Sequence, residues 1–175
     1  MRVTPAAVAA ERDRLRERAS VVPLVNETRE VLSELFETEV DAVTPAGYRR
    51  EVDAVFADGD RAVNVAALAG LLRDLDVEGD YPGFVVDELL GRRLASTIAG
   101  GQPLALLAEA TFHLADARTH GGPDDAAGAD DLDAALAAGF QTRLPGWSWR
   151  ETESPFAVEP AEVRDGGRAE DREEP

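Results

Sequence analysis

The chain has 175 residues and a formal net charge of −17, from 35 acidic and 18 basic side chains. This length favours one domain, or one domain with a tail. The absence of cysteine excludes disulfides, thiolate metal sites and cysteine nucleophiles. The acidic charge disfavours nucleic-acid binding, because phosphate contacts need a positive surface. No apolar run is long enough to predict a membrane span, and no apolar leader follows Met1, so we expect a cytoplasmic protein.

All 18 basic residues are arginine, and this lysine-free, acidic composition resembles that of proteins from organisms that keep molar salt in the cytoplasm. At about 1 M salt, screening limits repulsion between surface charges to about 3 Å. A GC-rich genome is the simpler explanation, since it favours arginine and alanine codons. The large excess of acids favours the halophilic interpretation, in which the carboxylates repel one another at low salt.

Capping signals and helical periodicity recur along the first half of the chain. Thr4 followed by Pro5, and Thr44 followed by Pro45, are typical helix starts, in which an N-cap residue precedes a proline. Asp60 is a third candidate cap. Apolar residues at helical spacing then predict four helices, at residues 5–19, 24–39, 45–56 and 61–75.

The most apolar stretch, residues 84–120, is predicted to form a central buried helical hairpin. Its first helix, at residues 84–99, has apolar side chains over most of its circumference, which is typical of a buried helix. Its second helix, at residues 103–119, is amphipathic and begins at Pro103 after a glycine pair. The other helices are expected to pack around this pair.

A short helix is predicted at residues 131–138, followed by an irregular segment that contains both tryptophans. Residues 151–175 are strongly acidic and show no periodicity after about Val163, and we expect this tail to be largely disordered. The predicted fold is therefore all-α, with six to seven helices in one helical domain at residues 1–150 and an acidic tail.

One polar stripe on the second hairpin helix carries both histidines of the chain. Histidine and carboxylate side chains can bind a divalent metal or act as acids and bases. The stripe would extend over about 16 Å of helix, so that one ion cannot contact all of it. The simpler interpretation is a polar face turned to solvent. The stripe consists of Glu109, His113, Asp116 and His120.

Charged residues also interrupt the first hairpin helix. Glu88 and Arg92 have the i, i+4 spacing that favours an ion pair. Arg93 is expected to be partly buried and to pair with Glu109 or Asp116 on the neighbouring helix. Such a structural ion network would explain the polar stripe without a metal.

A second acidic cluster precedes the short helix and is formed by Asp124, Asp125, Asp130 and Asp131. Clustered aspartates can hold Mg²⁺ or Ca²⁺. Their spacing does not fit an EF-hand loop, and acidic loops are expected in a chain of this charge. A solvated acidic surface is therefore the simpler interpretation.

Two features are candidates for binding another protein. Trp147 and Trp149 would point the same way from an extended segment, and tryptophan and arginine dominate interface hot spots. The alternative is that this segment folds back and covers the helical core. The first helix is the only basic stretch and offers Arg12 and Arg16 for docking or for a homodimer contact. These arginines could instead pair with acids of the same domain.

No phosphate-binding loop, nucleophile elbow or zinc-protease motif is present in the sequence. We therefore predict a non-catalytic interaction or regulatory protein whose partner is another protein, with neither nucleic acid nor membrane among its partners. No cofactor is predicted. The alternative is a metal-binding or metal-dependent helical enzyme that uses His113 with Glu109, Asp116 or His120.

We predict that the protein becomes more stable as salt rises. Between about 0.1 M and about 3 M KCl the thermal midpoint should increase, because screening weakens repulsion among the acidic side chains. Circular dichroism at several KCl concentrations measures the midpoint. A midpoint that stays constant or falls would contradict the halophilic interpretation.

Overall fold

The structure is a computed structural model that describes residues 1–75, 83–119 and 128–147. Over these residues the fold is all-helical, which confirms the predicted all-α class, and the helices form a single domain. None of the described helices is long and apolar enough to cross a membrane. The predicted tail, residues 151–175, lies outside the described residues. The helices are α1 (Pro5–Arg16), α2 (Val21–Leu35), α3 (Pro45–Ala57), α4 (Gly59–Arg73), α5 (Val86–Ala99), α6 (Leu104–Asp116) and α7 (Ala129–Arg143).

Local sequence signals determine where most of the first helices begin. Thr4 and Thr44 each accept a hydrogen bond from the amide three residues later, at 3.1 Å in both helices. Asp58, rather than the predicted Asp60, accepts the capping hydrogen bond of α4. The second helix begins before Pro23 and not after it, since a proline in the first turn has no intrahelical hydrogen bond to lose.

The most deeply buried helix is α7, which the sequence predicts to be short. It continues through the segment predicted to be irregular, as far as Arg143, and residues 134–142 are all buried. It packs against α2, α4, α5 and α6. The helices α5 and α6 also pack on each other as the predicted hairpin, so α7 completes a three-helix centre.

Small residues bring α5, α6 and α7 into close contact. A Cβ on Gly139 would lie 2.8 Å from the Cβ of Ile98 and 2.9 Å from the carbonyl oxygen of Ala95. A Cβ on Gly91 would lie 2.5 Å from the ring of Phe112. Alanine and glycine contribute little to an apolar pattern, which is why periodicity understates the role of α7.

The beginning of α5 and the two residues before it are exposed, and the prediction of a helix buried along its whole length is wrong there. Exposed fractions are 37% for Phe84, 46% for both Val85 and Val86, and 58% for Leu89. We refer to these four residues as the α5 apolar patch. The later turns, including Leu94, are buried in the core. The apolar side chains of this segment therefore face solvent at its start and pack into the core in its later turns.

Gly139→Ala should destabilise the protein by about 1–3 kcal/mol. Alanine normally favours a helix, but here its methyl group has no room beside Ile98 and the Ala95 carbonyl oxygen. Urea unfolding measures the effect. Gly59→Ala is the control, because a Cβ there meets no atom within 4 Å. Equal stability of the two variants would contradict the close approach of α5 and α7.

Candidate functional site

The beginnings of α5 and α7 meet the end of α6 at one end of the domain. A Cβ on Gly91 would lie 3.4 Å from the Asp131 carbonyl oxygen, which places the first turn of α7 beside α5. The antiparallel α6 brings His113 Nε2 to 3.3 Å from Glu88 Oε1. This end collects five acids from three helices, which we refer to as the carboxylate cluster: Asp87, Glu88, Asp116, Asp130 and Asp131.

Asp131 is the most deeply buried member of the carboxylate cluster, with 9% of its surface exposed. Burial, followed by the charges of Asp87 and Asp116, raises the pKa of its carboxyl group to about 7. Its backbone N–H donates to Asp130 Oδ1 at 3.1 Å. In the described part of the chain, no donor or cation contacts the Asp131 carboxylate.

One carboxylate oxygen of the carboxylate cluster contacts both Arg92 and His113. Arg92 Nη1 lies 3.0 Å from Glu88 Oε1, the same atom that His113 approaches. Burial, followed by the charge of Asp130, raises the pKa of Asp116, and the charge of His113 opposes that shift. Among the described residues, the four aspartates of the carboxylate cluster therefore make no ion pair.

The predicted metal stripe contributes two residues to this end of the domain. His113 is exposed and contacts Glu88, and Asp116 is half-buried in the carboxylate cluster. Glu109 lies further from this end on α6, and His120 is outside the described residues. Within residues 1–75, 83–119 and 128–147, no three histidine or acidic side chains are arranged to hold a metal ion.

The predicted ion network forms only in part. The pair between Glu88 and Arg92 is present. Arg93, however, is exposed and pairs with neither Glu109 nor Asp116, so that prediction is wrong. The reason is helical geometry: Gly91 faces α6, and Arg93 lies about 200° further around the helix.

The prediction that Trp147 binds a partner is wrong, because its ring is buried. The indole N–H donates to the Gln141 carbonyl oxygen at 2.8 Å, and Phe36 packs edge-on against the ring. The alternative, that this segment covers the helical core, is correct for Trp147. Trp149 lies outside the described residues.

The arginines of α1 pair within the domain. Arg12 pairs with its neighbour Asp13 at 2.8 Å, and Arg16 pairs with Asp53 of α3 at 3.0 Å. These contacts match the alternative interpretation of the basic helix, in which its charges pair with acids of the same chain. The pairs remain partly exposed, so we expect each to contribute about 0–1 kcal/mol to stability.

Sequence reasoning missed Arg29, a buried residue at the other end of α7. Its guanidinium donates to the carbonyl oxygens of Asp41, Leu144 and Pro145 at 2.9, 2.9 and 2.8 Å. Burial lowers the pKa of Arg29 to about 10, and the charge of Asp41 opposes that shift. The available signal was its position four residues after Val25, on the buried side of α2.

The chain matches the model of a family described as "Domain of unknown function (DUF7984)" over residues 1–160. Because this match covers most of the chain, the protein belongs to that family. No curated protein and no solved structure matches the chain.

Asp131 should make stability depend on pH. Its pKa is about 7 in the folded chain against 3.8 ordinarily, so the folded state holds the proton more tightly and stability falls as pH rises between these values. Asp131→Asn cannot ionise, and at about pH 8 it should be about 2–4 kcal/mol more stable than wild type. Near pH 4 the two should be similar.

Urea unfolding at both pH values measures this difference. The matched control is Asp60→Asn, which removes an exposed acid from the first turn of α4. It should show no comparable gain at the higher pH. An Asp131→Asn variant with the same pH dependence as wild type would contradict the electrostatic account of the carboxylate cluster.

Proposed function

We propose that this protein is a non-catalytic interaction protein of a high-salt cytoplasm, which binds another protein through the α5 apolar patch. The observation that carries the proposal is the contiguous exposure of Phe84, Val85, Val86 and Leu89. Apolar residues exposed singly are normal on any protein, whereas contiguous apolar patches mark interaction sites. Burying such a side chain against a partner would contribute about 1.5–3 kcal/mol.

The helix presents this patch in a form that suits an interface. Val86, Leu89 and Arg93 fall within an arc of about 60° on α5, so two apolar side chains and a cation share one exposed face. Arg93 makes no ion pair with another described residue. An apolar centre with a charged rim is the usual composition of a protein–protein interface.

Site-specific photo-crosslinking tests the proposal. A photoreactive amino acid in place of Leu89, in cells of the native host, should crosslink to a discrete protein. The same substitution at Leu106 is the control, because Leu106 is equally exposed (59% against 58%) but lies at the opposite end of the hairpin. Equal labelling from both positions would contradict the proposal.

Purified components then establish whether the crosslinked protein is a partner. Leu89→Asp should weaken its binding at least about 10-fold, a loss of about 1.4 kcal/mol, while Leu106→Asp should leave the affinity unchanged. If the crosslinked protein is a second copy of this chain, the partner is itself and the protein is a homodimer. An affinity that neither variant changes would remove the α5 apolar patch from consideration.

A metal-dependent helical enzyme is the second candidate, favoured by the contact between His113 and Glu88. An imidazole nitrogen and a carboxylate oxygen at this separation can both turn toward an ion. Metal analysis of wild type and His113→Ala, purified without chelator, discriminates the two functions. Near-stoichiometric metal in wild type that is lost in the variant would favour the enzyme.

A further inference from the structure

A cavity of about 200 Å³ lies at the C-terminal end of α7, where the segment before α3 meets Leu144 and Pro145. The ionisable residues among those that line it are Arg29, Arg50 and Asp41. Two cations against one carboxylate leave the walls with an excess of positive charge, although the chain as a whole has a net charge of −17. The cavity therefore has the electrostatic character of an anion site.

Arg29 is a buried cation without a counter-ion in the described part of the chain. Only 3% of its surface is exposed, and no carboxylate of the described residues forms an ion pair with it, Asp41 included. Its hydrogen bonds go to backbone carbonyl oxygens, through Nη1 and Nη2. The ring of Trp147, 5.5 Å from Cζ, supplies only the weaker attraction of an aromatic face. A buried charge is costly unless an opposite charge compensates it, so an anion here would stabilise Arg29.

The Arg29 guanidinium also has hydrogen-bond donors to spare. Its Nε is buried and has no hydrogen-bond partner among the described residues. Its Nη1 donates one hydrogen bond, to the Asp41 carbonyl oxygen, although it carries two N–H groups. A Cβ on Gly146, which lines the cavity, would lie 3.7 Å from this Nη1. Unused donors on a buried cation are the groups that an anionic ligand would occupy.

Arg50 supplies a second guanidinium to the same cavity. It is exposed, and it makes neither an ion pair nor a hydrogen bond with another described residue. A Cβ on Gly47 would lie 3.8 Å from Arg50 Nη2, so the side chain extends back toward the start of α3. The positive end of that helix adds to its charge. The cavity thus has one buried and one exposed guanidinium.

The charge and the walls of the cavity favour an organic carboxylate over a phosphate group. A guanidinium matches a carboxylate through two parallel N–H···O hydrogen bonds. A phosphate group carries about 1.5–2 negative charges near neutral pH, which is more than the positive excess of the walls, and Asp41 would repel it. Val43, Leu144 and Pro145 add apolar wall, which suits the carbon atoms next to a carboxylate.

We propose that this cavity binds the carboxylate group of a small organic acid between the guanidinium groups of Arg29 and Arg50. The inference goes beyond the proposed function and is independent of it, because no residue of the α5 apolar patch lines the cavity. It assigns the two arginines different roles. Arg29 holds the buried side of the carboxylate, and Arg50 covers it from the solvent side.

Titration of nitrogen-15-labelled protein with potassium butyrate tests the inference, at constant ionic strength with KCl as the balancing salt. The backbone amide signals of residues 42–47 should shift and reach saturation. Arg50→Gln should weaken butyrate binding at least about 10-fold, because it removes one of the two charge-assisted contacts. Arg29 stays in place in every variant, since its contacts tie α2 to the end of α7.

Arg2→Gln is the matched control. It removes the same charge from an exposed arginine that lies outside the cavity and makes no ion pair with another described residue, so it should keep the affinity of wild type. Inorganic phosphate at about pH 8 should bind more weakly than butyrate. The inference would be overturned by the absence of saturable shifts in wild type, by equal affinity in Arg50→Gln, or by tighter binding of phosphate.

Discussion

The burial of α7 on all sides is the constraint on which this structure depends. A helix leaves unpaired N–H groups at its start and unpaired carbonyl groups at its end, and in an interior these groups need partners. At the C-terminal end the solution is Arg29, whose guanidinium contacts the carbonyl oxygens of Leu144 and Pro145 and also that of Asp41. One buried cation therefore ties α2, the segment before α3 and the end of α7 together.

The N-terminal end of α7 lies among acidic side chains instead. There Asp131 meets acids of α5 and α6, and its pKa is raised because burial and like charges both disfavour ionisation. Perturbed titratable groups of this kind concentrate at functional sites, where stability is given up for binding or chemistry. The neighbouring α5 apolar patch has the same character, since apolar side chains stay exposed although burial would stabilise them. The proposed interaction with a protein partner would cover the α5 apolar patch.

Local signals in the sequence predict the all-α class and the caps at Thr4 and Thr44, because capping and periodicity depend on neighbouring residues. They do not predict the central position of α7, since the fit of Gly139 against α5 depends on a helix about 40 residues away. The carboxylate cluster is similarly non-local. Periodicity on α6 identified Asp116 and His113, but only folding places Asp116 near Asp131 of α7 and His113 beside Glu88 of α5.

The most direct test of this account is the pKa of the Asp131 carboxyl group in the folded protein. Carbon-13 NMR of aspartate-labelled protein, with Asp131→Asn to assign the signal, measures it over a pH titration. The account predicts a midpoint near 7, because burial and the neighbouring acids disfavour ionisation and no cation among the described residues pairs with this carboxylate. A midpoint at or below the ordinary 3.8 would show that a cation of the same chain already pairs with Asp131, and would contradict the electrostatic account of the carboxylate cluster.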